Sequence, residues 1–266
     1  MRQAKLHNWG YIETHGASGL CKEKETGKLV NGSPVIVHSS FPIVPINLCE
    51  IIPSRRETLE TQFKGVENVK VLQGDCNKLI DKLHCMPNCA WYFHFLDPDG
   101  IRTEEKEPCD QLTYQTIKKV MTWRNSEVFL NFPLLAFLRW GSYSIRYPEE
   151  SSSQKLHAAF TRFYGGEDWI DFYVRDSRGW KMDALVDNFI SQRIQPYYKE
   201  PVLRYLVRTE GNSPVYYLIF GTNHWLGSLF MGKAFKLASD IWSKELSREP
   251  EQISLENFTK GTAIQR

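Results

Sequence analysis

Four apolar runs in the first hundred residues each end on polar or glycine-rich residues, and this repeated shape constrains the fold more than any other feature. Tyr11-Ile12 leads into Glu13-Thr14-His15-Gly16-Ala17-Ser18-Gly19, and Asn47-Leu48-Cys49 leads into Glu50. Val69-Lys70-Val71-Leu72-Gln73 leads into Gly74-Asp75, and Trp91-Tyr92-Phe93-His94-Phe95-Leu96 into Asp97-Pro98-Asp99-Gly100. A short apolar run stopped by turn formers reads as a buried strand. In an open α/β sheet, ligands bind beyond the carboxyl ends of the strands, so four such ends in succession predict one shared pocket.

Helical periodicity fills the gaps between these runs. Ser54-Arg55-Arg56-Glu57 reads as a capping box, with Leu59 and Phe63 following at helical spacing. Asp75 and Asn77 start a second helix whose face carries Leu79, Ile80 and Leu83. A third covers Leu112 to Trp123 and leads into the apolar strand Val128 to Phe132. Strands alternating with helices of this length argue for right-handed crossovers and a parallel sheet. After Pro133 the pattern changes. Leu156, Phe160 and Phe163 form one helical stripe, and Val186, Phe189, Ile190 and Ile194 another. Val202 to Thr209 and Val215 to Gly221 flank Glu210-Gly211-Asn212-Ser213-Pro214 and read as a hairpin, with a last helix over Leu226 to Trp242. The expected layout is a doubly wound half over 1–132, a helical insertion over 133–198, a closing hairpin and last helix over 199–247, and a polar tail over 248–266.

Composition bounds the partners. The 266 residues are 42% hydrophobic and 24% charged, which suits one substantial α/β domain or one with a large insertion. The formal charge is +2, and 11 basic residues stand against 10 acidic ones between Phe132 and Gly211, so any phosphate-binding surface must be a local patch. Met1 to Gly10 lack a signal-peptide core, and no stretch approaches the roughly 18 apolar residues of a membrane helix, so a cytoplasmic protein without a membrane partner is expected. Cys21, Cys49, Cys76, Cys85, Cys89 and Cys109 fit scattered reduced thiols. Cys85 and Cys89 lie near His84, His94 and Cys109, but the spacing matches no firm zinc pattern and no metal is expected.

Tyr11-Ile12-Glu13-Thr14-His15-Gly16, Gly32-Ser33-Pro34, Glu50 with Pro53-Ser54, Gly74-Asp75 and Leu96-Asp97-Pro98 together resemble the three-Cys-motif partner family. Asn131-Phe132-Pro133, Tyr216 to Phe220 and Asn223-His224 extend that resemblance over nearly the whole chain. The first half is similar, more distantly, to the J-type ribosomal RNA adenine methyltransferases. Both resemblances imply a Rossmann-like class I methyltransferase fold: α/β, a mostly parallel seven-stranded sheet, an antiparallel hairpin ending and S-adenosyl-L-methionine as donor.

The implied roles follow the chemistry. Gly16 and Gly19 let the backbone approach the donor's methionine part, because a Cβ there would obstruct it. Glu50 accepts from both ribose hydroxyls, Asp75 accepts from the adenine amine, and Cys76 lies against the ring. Glu13, His15 and Ser33 complete the donor-binding set, the last two by the J-type resemblance. Asp97-Pro98 is the expected reaction centre: a carboxylate and the following carbonyl accept the two protons of an exocyclic amine and turn its lone pair toward the methyl group. The sequence departs from that motif, with Asp99 where a second proline would stand and Gly100 where a stacking aromatic would. Asp99, Asn131 and Phe132 then mark the acceptor side, Phe132 supplying a ring.

Plainer roles stay open beside these. The glycines shape a tight turn, Ser33-Pro34 starts a helix, His15 is structural, and Asp-Pro-Asp-Gly ends a strand. Only ten residues precede Tyr11, whereas these families carry a donor-covering helix there; either the chain is a fragment or its pocket is more open. The expected function is methyl transfer to a nucleic-acid amine, RNA first. The alternative is a donor-binding or non-catalytic partner of a cysteine-cluster protein. A dinucleotide dehydrogenase fits poorly, since the glycine turn is not a full GxGxxG.

Overall fold

A computed structural model describes residues 8–23, 26–86, 88–101, 111–174, 182–209 and 211–246. Cys109 and the polar tail 248–266 lie outside the described residues. The chain opens with β1 (Trp9–Glu13), a small antiparallel hairpin of β2 (Leu20–Lys22) and β3 (Leu29–Asn31), and α1 (Ser33–Ser40). Strict alternation follows: β4 (Ile46–Glu50), α2 (Pro53–Gln62), β5 (Val69–Gln73), α3 (Cys76–His84), β6 (Trp91–Leu96), α4 (Tyr114–Thr122) and β7 (Ser126–Phe132). Four helices come next: α5 (Leu134–Arg146), α6 (Ser151–Tyr164), α7 (Asp171–Val174) and α8 (Met182–Phe189). The hairpin β8 (Leu203–Arg208) and β9 (Pro214–Gly221) and the long α9 (Trp225–Leu246) end the fold.

The seven strands stand in the order β5-β4-β1-β6-β7-β9-β8. β1, β4, β5, β6 and β7 pair in parallel, and β9 enters antiparallel between β7 and β8. This is the Rossmann-like class I methyltransferase topology expected from the sequence. Among the described residues, no helix is long and apolar enough to cross a membrane.

Alternation along the strands builds two cores. Ile12 faces a large cluster with Leu96, Val128 and Leu130, while its neighbour Tyr11 faces a smaller one with Ile46, Leu48 and Leu59. Each fully buried aliphatic side chain contributes about 1.5–3 kcal/mol, so both faces hold the sheet. The two stripes after residue 133 join the larger core. Phe132 stacks on Phe137 at 5.3 Å, Phe137 meets Phe160 at 4.5 Å, and Phe189 lies 5.1 Å from Phe132.

Helix starts follow local chemistry. Asp75 caps α3 by accepting from the Asn77 amide at 2.8 Å, and Thr113 caps α4 from the Thr116 amide. The capping box expected at Ser54 is absent. α2 instead begins at Pro53, with Ile52 as its N-cap and no side-chain cap. Proline at the first helical position needs no donor partner, which moves the start ahead of Ser54.

Candidate active site

The strand order reverses between β1 and β6, so the ends of those two strands flank a topological switch point. A cavity of ≈ 520 Å³ opens there. His15 follows β1, Glu50 ends β4, Asp97-Pro98-Asp99 follow β6 and Asn131 lies near the end of β7, and all line this one cavity. Glu50 is buried, and its Oε1 accepts the Ile52 amide at 2.7 Å, which orients the carboxylate.

Asp97 is held from the neighbouring strand. Asn131 Nδ2 donates to its Oδ1 at 2.7 Å. Burial pushes the Asp97 carboxyl above its ordinary pKa and Asp99 adds to the rise, while the Asn131 hydrogen bond and His15 pull it back. The Asn131 Oδ1 is itself buried without a hydrogen-bond partner among the described residues. A carboxylate only accepts, so the amide must present its NH2 to Asp97 and keep its carbonyl oxygen unsatisfied.

The other expected donor-site residues are not on the cavity wall. Glu13 is buried and accepts from Tyr11 Oη at 2.9 Å and from Ser33 Oγ at 2.5 Å, so Ser33 is tied to a carboxylate. Burial raises the Glu13 pKa to about 8 against the pull of those two hydroxyls. Gly16 and Gly19 pack on α2: an added Cβ would come within 2.9 Å of Leu59 methyl carbons at either position. Gly19 also has φ +70°, where a side chain is strained. Asp75 serves as the α3 cap, and the buried Cys76 sits with its Sγ 4.0 Å from His15 Nε2. Phe132 is fully buried in the aromatic core and brings no ring to the cavity, which corrects the expectation placed on it.

Arg139 and Trp140 on the wall had no sequence motif to mark them, and Arg55 and Tyr216, read only as parts of a capping box and a hairpin strand, were not expected there. Arg55 pairs with Asp99 at 3.2 Å. Because β9 runs antiparallel to β7, its first residues reach the carboxyl edge of the sheet, and Tyr216 arrives close enough for Asp97 to raise its pKa after burial does. Alternation from the buried Tyr217 was the available signal for Tyr216.

Away from the cavity, Ser126 Oγ bonds His94 Nδ1 at 2.8 Å and His84 Nδ1 meets His94 Nε2 at 3.3 Å. Burial lowers the His94 pKa to about 3 and the His84 pKa to about 4. Among the described residues, no group of three or more His, Cys, Asp or Glu side chains could hold a metal ion.

No family model and no curated protein matches the sequence. Among solved structures, the chain is similar to LPL1258 from Legionella pneumophila, of family DUF519. The identity is 14%, the match covers 82% of this chain and 78% of that one, and the TM-score is 0.46. It is similar at 10% identity to cofactor-bound Rv0187 from MTB, covering 82% and 73% of the two chains with a TM-score of 0.42. Coclaurine N-methyltransferase bound to N-methylheliamine and SAH matches 47% of this chain and 31% of its own length, at 13% identity and a TM-score of 0.30. All three TM-scores lie below one half, so the fold assignment rests on the strand order itself.

Proposed function

We propose that the chain is an S-adenosylmethionine-dependent methyltransferase whose acceptor is an exocyclic amine of a nucleic acid, RNA before DNA. What carries the reading is the meeting of Glu50, His15 and Asp97-Pro98, from three different strand ends, in one cavity at the switch point. Glu50, oriented by the Ile52 amide, accepts from the donor's ribose hydroxyls with its second oxygen.

Asp97 and the Pro98 carbonyl accept the amine's two protons, and the Asn131 amide fixes the Asp97 rotamer. The donor supplies an electrophilic methyl on a sulfonium. With the methyl passing from that sulfonium to the nitrogen, Asp97 would take the proton the nitrogen loses and release it to water. The helices of 133–198 shape the acceptor side through Arg139 and Trp140.

Titration calorimetry with S-adenosylmethionine, S-adenosylhomocysteine and NAD tests the donor. The first two are expected to bind, stabilising the fold by about 2.7 kcal/mol at 100 times Kd. Glu50→Ala is expected to weaken them at least about tenfold, since charged hydrogen bonds of roughly 1.5–3 kcal/mol are lost. Unchanged affinity in a folded variant removes Glu50 from the site, and NAD binding instead restores the dehydrogenase. Labelled methyl transfer to RNA, DNA and protein then tests the acceptor. If the donor binds, no pool is labelled, and Asp97→Ala still supports a three-Cys-motif protein's activity, the chain is a donor-binding partner module.

A further inference from the structure

We infer that the outer face of α5 is a binding track for single-stranded nucleic acid, leading the target base into the cavity over Trp140. This rests on the methyl-transfer reading of the site. α5 buries Leu134, Phe137, Gly141 and Ser144 against the core, which turns Arg139, Trp140, Arg146 and Tyr147 outward. Trp140 is 52% exposed and Tyr147, which follows the helix, 43%. Both rings therefore leave a flat apolar face on the surface on which a base can stack.

The spacing makes these residues one surface. Arg139 and Arg146 are seven positions apart, as are Trp140 and Tyr147, so each pair repeats after two turns on nearly the same side, about 10.5 Å along the axis. Cations interleaved with aromatic rings are what an unpaired strand needs: phosphates meet the guanidinium groups and bases stack on the rings. α5 carries two arginines and no acid in a region whose charges otherwise balance. Among the described residues, neither arginine forms an ion pair. Glu149 and Glu150 follow Tyr147, and Glu150 accepts from Tyr143, which marks the end of the track.

The inner end of this face joins the reaction centre. Arg139 and Trp140 line the same cavity as Asp97 and Asn131. Trp140 thereby supplies the stacking ring that Asp97-Pro98-Asp99-Gly100 lacks and that Phe132, sealed in the core, does not provide.

The test is an anisotropy titration of the full chain with a fluorescein-labelled, mixed-sequence 12-nucleotide RNA at several salt concentrations, with the matching duplex as competitor. The single strand is expected to bind better than the duplex. Arg139→Gln/Arg146→Gln is expected to lower the log Kd against log salt slope by about 1.4, at about 0.7 per phosphate contact on a single strand. Trp140→Ala is expected to weaken binding roughly 5- to 150-fold with the salt slope unchanged. All three side chains are exposed, and melting curves verify that the variants fold. Variants that bind RNA like the wild type, or a wild type that prefers the duplex, overturn the track. Donor calorimetry on the same samples separates the cases: donor binding without RNA binding sinks this inference alone, and RNA binding without donor binding sinks the methyl-transfer reading.

Discussion

In the proposed reaction Asp97 takes the amine proton, and its side chain is both anchored and on the cavity wall. Its Oδ1 accepts from Asn131 Nδ2. Only an ionised carboxylate can accept an amine proton, and burial raises the pKa of this one. Methyl transfer is therefore expected to fall as pH drops through a value above the ordinary aspartate pKa of about 3.9. Asn131→Ala removes the hydrogen bond that favours the charged form, so it is expected to shift that acid limb upward and to lower kcat. Asp97→Ala is expected to leave donor affinity within about twofold while cutting kcat by at least about 100-fold, since the interaction matters chiefly in the transition state. Single-turnover rates across pH, with donor affinities measured in parallel, check all three. The absence of any acid limb, or a kcat indifferent to Asp97, removes the carboxylate from the reaction.

At the scale of elements, the loop after β1 shows that sequence spacing finds a site before it finds the reason for each residue. Gly16 and Gly19 are needed, but their missing Cβ atoms make room for Leu59 of α2. Gly19→Ala is expected to cost about 1–3 kcal/mol from its φ of +70° and the Leu59 contact. Leu59→Ala alone is expected to cost about 2–5 kcal/mol, and the double variant less than the sum, because the alanine methyl enters vacated space. Urea midpoints of the four proteins form that cycle, and strict additivity disproves the contact. The order of strand ends was legible because buried strands and polar termini follow from periodicity alone. Side-chain destinations were legible only where the period was applied to the residue itself. Ser126, Val128, Leu130 and Phe132 share the buried face of β7, so Asn131 must point the other way, and Phe132 cannot serve the same cavity. Arg139 and Trp140 were illegible because their place depends on how α5 leaves β7, which no local pattern encodes.

Over the whole molecule, stability against pH is set by buried groups that titrate in opposite senses. Glu13 has a folded pKa of about 8 against an ordinary value of 4.5, so the native state keeps a proton that the unfolded chain releases. Its contribution is full below 4.5 and is lost as pH rises toward 8. His94 at about 3 and His84 at about 4 do the reverse, since the unfolded chain takes up protons below 6.5 that the buried rings refuse. Their contribution is full above 6.5 and is lost as pH falls. Between 4.5 and 6.5 the two senses oppose each other, and between 6.5 and 8 the Glu13 slope stands uncompensated by these histidines. The buried Cys49 thiol, pushed up to about 12, acts only at higher pH. Unfolding free energy is accordingly expected to drop on the order of 1–2 kcal/mol from pH 6.5 to 8, at no more than about 1.4 kcal/mol per pH unit. Glu13→Gln keeps the shape and cannot ionise, and its amide can still bond the Tyr11 and Ser33 hydroxyls, so its curve is expected to be flat over that window. Denaturant titrations at pH 6.5, 7.25 and 8 on both proteins decide the point. A flat wild-type curve beside a Glu13→Gln protein destabilised at every pH means that the two hydroxyls hold Glu13 as a carboxylate. Asp97 then lies beside a second buried negative charge.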